Sequence, residues 1–250
     1  MASEWDWEPD DFAVLWHSDA HDRFPRPLAY TSRFRTVGGV AAHRDAVHTR
    51  YDRDEIERIR LAFHTLDAAD LRIEIRGDSS SLGNGTPREY RVLGARTAQH
   101  AVLLTQTATV GVDGHIRCRI FRPDDLAPRL AHILPRHPAG AEPPETFHRT
   151  DLTTAAAPDD HRPDPRRRLH RRTHRADGGG VAALTTGALY ADPAPRYTTQ
   201  WLDIPGDGRY LQQLSADHLT LRPVAVTDLT ALFAGWIDHT LQRRRDNESW

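Results

Sequence analysis

Residues 200–223, QWLDIPGDGRYLQQLSADHLTLRP, decide how the rest of the chain is read. Apolar and polar residues alternate along the stretch. Pro205-Gly206-Asp207-Gly208 and Ala216-Asp217 interrupt the alternation where turns are expected. The pattern predicts two or three short strands in tight succession. Directly afterwards Leu229, Leu232, Phe233, Trp236 and Ile237 follow the spacing i, i+3, i+4, i+7, i+8, a wide apolar helical stripe that runs on to Leu241. No residue in this unit is placed for bond chemistry.

A plainer copy lies about a hundred residues earlier. Leu71, Ile73 and Ile75 alternate with Arg72, Glu74 and Arg76, as a half-buried strand requires. Residues 90–93, 101–107 and 115–121 continue the strand series, and Asp113-Gly114 predicts a tight hairpin turn before the last of them. Pro123-Asp124-Asp125 then opens a helix with Leu126, Leu130, Ile133 and Leu134 inward, and Pro128 falls in its first turn, where a missing N–H costs little. In the second half the strand candidates are 181–186, 197–204, 209–214 and 218–221. Phe121-Arg122-Pro123 recurs 100 residues later as Leu221-Arg222-Pro223, and the four helix positions recur with an offset of 103. Four strands and a helix, twice, predict an α+β fold. Its form would be mainly antiparallel β-sheet with flanking helices, in two related halves with approximate two-fold symmetry. Chance likeness of two common meander-plus-helix units is the competing explanation.

Around this frame, Asp10 or Asp11 is expected to cap a first helix carrying Phe12, Leu15 and Trp16, which Pro25 and Pro27 end. A second helical stretch covers 40–50. A firmer one covers 54–66, with Ile56, Ile59, Phe63 and Leu66 on one stripe. Residues 77–87, GDSSSLGNGTP, read as a flexible loop. Residues 135–180 form a proline- and arginine-rich connection, mobile in its middle, with a short ordered piece at 145–152 and a closing Gly178-Gly179-Gly180. The domain organisation expected is one unit over 1–250: a first half, 1–134, the basic connection, 135–180, and a second half, 181–250.

Composition narrows the function. With 250 residues, 38% hydrophobic and 27% charged, the chain can bury a sizeable core. Every strong base is arginine, and the formal net charge of −2 argues against nucleic-acid attraction by the whole protein. The single cysteine, Cys118, excludes an internal disulfide and any multi-cysteine zinc site, and its place in the alternating run HIRCRIF makes it a packed strand thiol. The acidic start MASEWDWEPDD predicts no secretory leader, no window is apolar enough for a membrane span, and the expected location is the cytoplasm.

Several features could be sites. Trp201, Asp203 and Tyr210 could form a recognition patch. The preferred reading packs Trp201 and Tyr210 between sheet and helix, with Asp203 satisfying turn amides. Trp5, Trp7 and Trp250 lie near the ends and are either partner anchors or tucked away. Of 15 histidines, His17/His21 and His43/His48 are closely spaced, but no HExxH motif accompanies them, so scattered surface histidines are expected and no metal. Ser79-Ser80-Ser81 lacks a GxSxG context. The basic run at 162–175 gives an alternative function, binding of nucleic acid or an acidic protein, against the plainer reading of a solvated loop.

Trp201 and Asp203, a short turn, Gly208-Arg209-Tyr210, a further strand and an Ala/Leu-rich closing helix together resemble the ESX secretion-associated proteins of the EspG family. The first half is similar too: DFAVLW, the segment flanked by Pro25 and Pro27, LRIEIRG, and a strand series ending in DDLAPRLAHILP. The region GGGVAALTTGALYADPAPRY departs from the family pattern in lacking a Phe-Gly. The resemblance implies a cytosolic, chaperone-like adaptor of type VII secretion in actinobacteria, without catalysis or cofactor, monomeric or homodimeric. Such a protein keeps helical secreted substrates of PE/PPE or WXG type soluble by covering an apolar tip. It also implies two contact regions: the loop, with Ser79, Ser80, Ser81, Leu82 and Asn84, and the closing helix, with Leu229, Phe233 and Trp236. Leu82 is the loop's only sizeable apolar residue, which implies a more polar partner than is usual in the family.

Overall fold

The two four-strand runs lie edge to edge in one antiparallel sheet. The computed structural model describes residues 3–18, 21–153, 164–191 and 193–248. In chain order the elements are β1 (Ser3–Trp7), α1 (Pro9–Trp16), α2 (Val37–His48), α3 (Arg53–Asp67), β2 (Leu71–Ser79), β3 (Arg88–Arg96), β4 (Ala101–Thr109), β5 (Val112–Phe121) and α4 (Leu126–Ile133). There follow β6 (Glu145–His148), α5 (Arg149–Thr153), α6 (Pro165–Thr173), β7 (Gly178–Thr185), β8 (Tyr197–Ile204), β9 (Gly208–Leu214), β10 (His218–Pro223) and α7 (Val226–Glu248). The sheet has 10 strands in the order β1-β5-β4-β3-β2-β7-β8-β9-β10-β6. The expected α+β architecture, mainly antiparallel with flanking helices, is the one observed. β2 and β7 pair at the centre, and each run proceeds outward from them. The helices that close the runs differ in size, 8 residues in α4 against 23 in α7.

Register sorts the side chains between two layers. On one face Ile73, Ile75, Val92, Leu103, Leu184, Trp201 and Leu211 meet Leu126 and Leu130 of α4 and Leu229, Phe233 and Ile237 of α7. On the other, Leu93, Val102, Leu104, Ile116, Cys118 and Ile120 meet Phe12 and Trp16 of α1 and Ile59, Phe63 and Leu66 of α3. Each large side chain so buried contributes roughly 1.5–3 kcal/mol. Burial also pushes the Cys118 thiol pKa far up, so it is a packing group.

Several expectations change. Trp5 and Trp7 are neither free nor anchors. They sit in the edge strand β1, buried opposite Cys118 and Ile116, and stack on each other at 5.7 Å. Trp250 lies outside the described residues. Asp10 and Asp11 do not cap α1. The cap position is Glu8, without a side-chain bond, and the two aspartates are buried inside the first turn. There Asp10 accepts from Tyr30 and Ser32, and Asp11 holds Arg50 at 2.6 Å and His43 at 2.7 Å, so both pin the following segment to α1. The β4–β5 turn is Val110-Gly111, not Asp113-Gly114. Asp113 stays in β5 and binds Arg91 at 2.6 Å, while Gly114 faces the Thr107 carbonyl at the β4 bulge, where a Cβ would come within 2.7 Å. A tertiary ion pair and a crowded bulge outweigh the local turn signal.

The connection is also more built than expected. β6 extends the sheet beside β10, and Ala139 bridges Arg209. The ordered piece at 145–152 is β6 and α5; residues 154–163 lie outside the described residues. The arginine run is not a loop where it is described: it forms α6, whose Arg168 and Arg172 clamp Glu145 and whose Arg172 lies over the Tyr210 ring at 5.0 Å. Gly178-Gly179-Gly180 does not close the connection but opens the central strand β7. A Cβ on Gly180 would meet Trp201 at 2.6 Å, and one on Gly77 would meet Tyr90 at 2.3 Å, so glycines there let two large rings lie against the sheet.

Candidate functional site

The organising segment 200–223 is occupied with itself. Asp203 and Arg209 face each other across β8 and β9 and are both buried, with Arg209 Nε donating to Asp203 Oδ1 at 2.6 Å and Nη2 to Oδ2 at 2.8 Å. Arg209 Nη2 also donates to the Pro135 carbonyl at 2.9 Å, which ties the connection to the sheet. The expectation that Asp203 satisfies turn amides is therefore corrected: its partner is an arginine that the alternation carries to the same face. Trp201 and Tyr210 lie on opposite faces, since Tyr210 pairs with Leu202 and Trp201 with Leu211. Trp201 faces the helical core. Tyr210 instead donates to Asp207, and its hydroxyl accepts from the Glu142 amide at 2.9 Å. Neither ring is presented to a partner.

The loop expected at 77–87 shortens to 80–87, because Gly77, Asp78 and Ser79 extend β2. Ser79 is buried, its hydroxyl 2.7 Å from that of Ser81, and Ser80 donates to the Asp177 carbonyl at 3.0 Å. Ser81, Leu82 and Asn84 are exposed, and Asn84 adopts a left-handed backbone. The turn Val110-Gly111 lies beside this loop, because β3 and β4 are neighbours and Arg88 Nε bonds Thr109 Oγ1 at 3.0 Å. Both its residues have positive φ, 49° for Val110 and 77° for Gly111. A β-branched side chain is rarely found there. Val110 is 87% exposed, Val112 71% and Leu82 38%. One end of the sheet thus presents three apolar side chains to solvent. Beside it lies a cavity of about 330 Å3 on the face that α4 leaves open, bordered by Leu82, Val92 and Ile133 and by the polar Asp6, His115 and Arg117.

Val110 and Val112 escape a sequence reading because Asp113-Gly114 is the stronger turn signal and draws the hairpin tip past them. With them, Leu82 is not the sole exposed apolar side chain at this end of the sheet.

The second contact region divides. Leu229 and Phe233 are wholly buried against the sheet and offer no surface. Trp236 stacks on Tyr197 at 5.6 Å and, with Leu232, borders a cavity of about 390 Å3 where β8 and β9 separate. Their pairing ends at Gln200 and Gln212, although β8 continues back to Tyr197 beside β7 and β9 on to Leu214 beside β10. Among the described residues no group of three or more histidine, cysteine, aspartate or glutamate side chains could hold a metal ion. His43 is engaged by Asp11, and His17 lies 3.1 Å from the His21 carbonyl.

Fold and register together define an α+β protein built on one 10-stranded antiparallel sheet with helices on both faces. Residues 8–232 match the model of the EspG family, and the chain belongs to that family. It is accordingly an ESX secretion-associated protein. No curated protein sequence matches it. Among the described residues no helix is long and apolar enough to cross a membrane.

Proposed function

We propose that this protein is a chaperone-like adaptor of the cytoplasm, in an actinobacterium, that binds helical secreted substrates of PE/PPE or WXG type. It covers an apolar tip that would otherwise aggregate. The observation that supports this reading best is the cluster of Leu82, Val110 and Val112 at one end of the sheet, beside the cavity that Ile133 borders. Three exposed apolar side chains on two neighbouring turns fit a convex apolar tip, and the strained backbone of Val110 fits a position kept for contact. Leu232, half-buried beside the buried Trp236, supplies a second contact at the β8–β9 separation. No catalytic step or cofactor enters this reading.

The alternative, binding of nucleic acid or an acidic protein through the arginine run, is weakened by the use of Arg168 and Arg172 as internal clamps. Co-expression with helical secreted proteins from the same genome tests the proposal. A stable heterocomplex is expected, which Leu82→Asp with Val110→Asp disrupts while the free adaptor stays folded. A chain that remains uncomplexed with every such candidate contradicts it.

A further inference from the structure

The helical layer on the opposite face of the sheet carries a different surface. α1, α2 and α3 leave between them a cleft of about 620 Å3. Its floor is apolar, built by Val14, Leu15, Trp16 and Phe63. Its rim is basic: Arg44 and His48 from α2, Arg60 and His64 from α3, with His17 and His21 beyond the end of α1. Asp67 is the one acid among the described lining residues, 3.9 Å from His21. His21 Nε2 is itself buried without a hydrogen-bond partner.

Two arginines in or beside these helices are paired, and the two at the cleft are not. Arg50 holds Asp11 and Arg53 holds Glu57. Arg44 and Arg60 make no ion pair or hydrogen bond with another described residue, and both are exposed at the rim. An apolar floor flanked by two unpaired arginines is complementary to a segment that carries an apolar side chain between carboxylates. A purely apolar segment would leave the arginines unmatched. A nucleic-acid backbone calls for cations in a line along the strand, and these close on a single cleft.

We propose that this cleft docks an acidic segment of a partner protein, an aromatic or large aliphatic residue flanked by aspartate or glutamate. It is separate from the surface assigned to substrate masking, so the two can be occupied independently.

The test uses the full-length protein and a fluorescein-labelled peptide that alternates glutamate with phenylalanine, read by anisotropy. Saturable binding is expected, weakened about tenfold or more by the double variant Arg44→Glu/Arg60→Glu and by added salt. The same peptide with glutamine for glutamate should not bind. Because both arginines are exposed, the variant should keep the thermal midpoint of the parent; if it does not, Arg44→Gln/Arg60→Gln replaces it. The variant Leu82→Asp should bind the peptide normally, which separates a failure of this site from a failure of the masking surface. Absence of saturable binding, binding that the double variant retains, loss with Leu82→Asp, or equal competition by single-stranded DNA would each overturn the proposal.

Discussion

Two parts of the sheet treat their side chains in opposite ways. In β8 and β9 the distinctive residues are turned inward: Asp203 pairs with Arg209, Tyr210 bonds Asp207, and the Trp201 ring packs against the glycines of β7. At the tips of the β2–β3 and β4–β5 hairpins the reverse holds, with Leu82, Val110 and Val112 in water and one of them in an unfavourable backbone conformation. The residues that make the family recognisable are thus the ones that hold the fold, and the exposed apolar side chains lie in or next to turns with little pattern of their own. The residues that carry the family resemblance and the surface proposed for the partner lie in different places.

Substitutions in the two regions should therefore separate stability from binding. The largest effect is expected at Asp203→Ala. It strands the buried Arg209 guanidinium without its counter-charge, a loss of about 3–5 kcal/mol that urea unfolding would register. Arg209→Met/Asp203→Leu together should recover much of that loss, because no charge is then left unpaired. Next comes Gly180→Ala. Its Cβ would fall 2.6 Å from Trp201 and from the Tyr90 hydroxyl, so about 1–3 kcal/mol of overpacking is expected.

A smaller effect concerns pH. Tyr90 donates to the Gly179 carbonyl at 2.7 Å, and burial holds its hydroxyl well above the ordinary tyrosine range. An unfolded chain ionises this tyrosine near pH 10 while the folded one keeps it neutral, so the folded state loses stability as pH rises past about 10. Urea midpoints measured between pH 9 and 11 should fall more steeply for the parent than for Tyr90→Phe. The smallest effect on the fold is expected at Val110→Gly, which relieves a left-handed valine and should raise stability by roughly 1 kcal/mol or less. Because it also removes an exposed apolar side chain from the hairpin tip, the same change should weaken the complex with the secreted partner, measured by co-purification.

How much of this was legible in advance follows the same division. Alternation in residues 71–76 and 200–223 and the stripe from Leu229 to Ile237 located the strands and the closing helices, although the alternation missed that Arg72 and Tyr210 are buried on the second face of the sheet. What local patterns could not supply were features decided by distant partners. The Asp113-Gly114 turn gave way to an ion pair with Arg91 from the neighbouring hairpin. The arginine-rich stretch, read as a solvated loop, became a helix because Glu145 from β6 neutralises two of its charges, and those same bonds hold the Glu145 carboxyl below its usual range against the opposing effect of burial. Gly178-Gly179-Gly180, read as a linker, became strand because only glycine lets Trp201 and Tyr90 lie so close to the backbone. For the candidate site, the loop with Leu82 was visible from composition. Val110 and Val112 were not, since their exposure depends on where the hairpin turns.

If the hairpin tips, and not the family-defining strands, hold the partner, one measurement bears on that most directly. The chain is co-expressed with a helical secreted protein that forms a complex with it. Leu82→Asp/Val110→Asp is then compared with the parent for both co-purification and thermal midpoint. The expected result is loss of the complex, with a midpoint that stays within a few degrees of the parent. Retention of the complex by a folded double variant would contradict it.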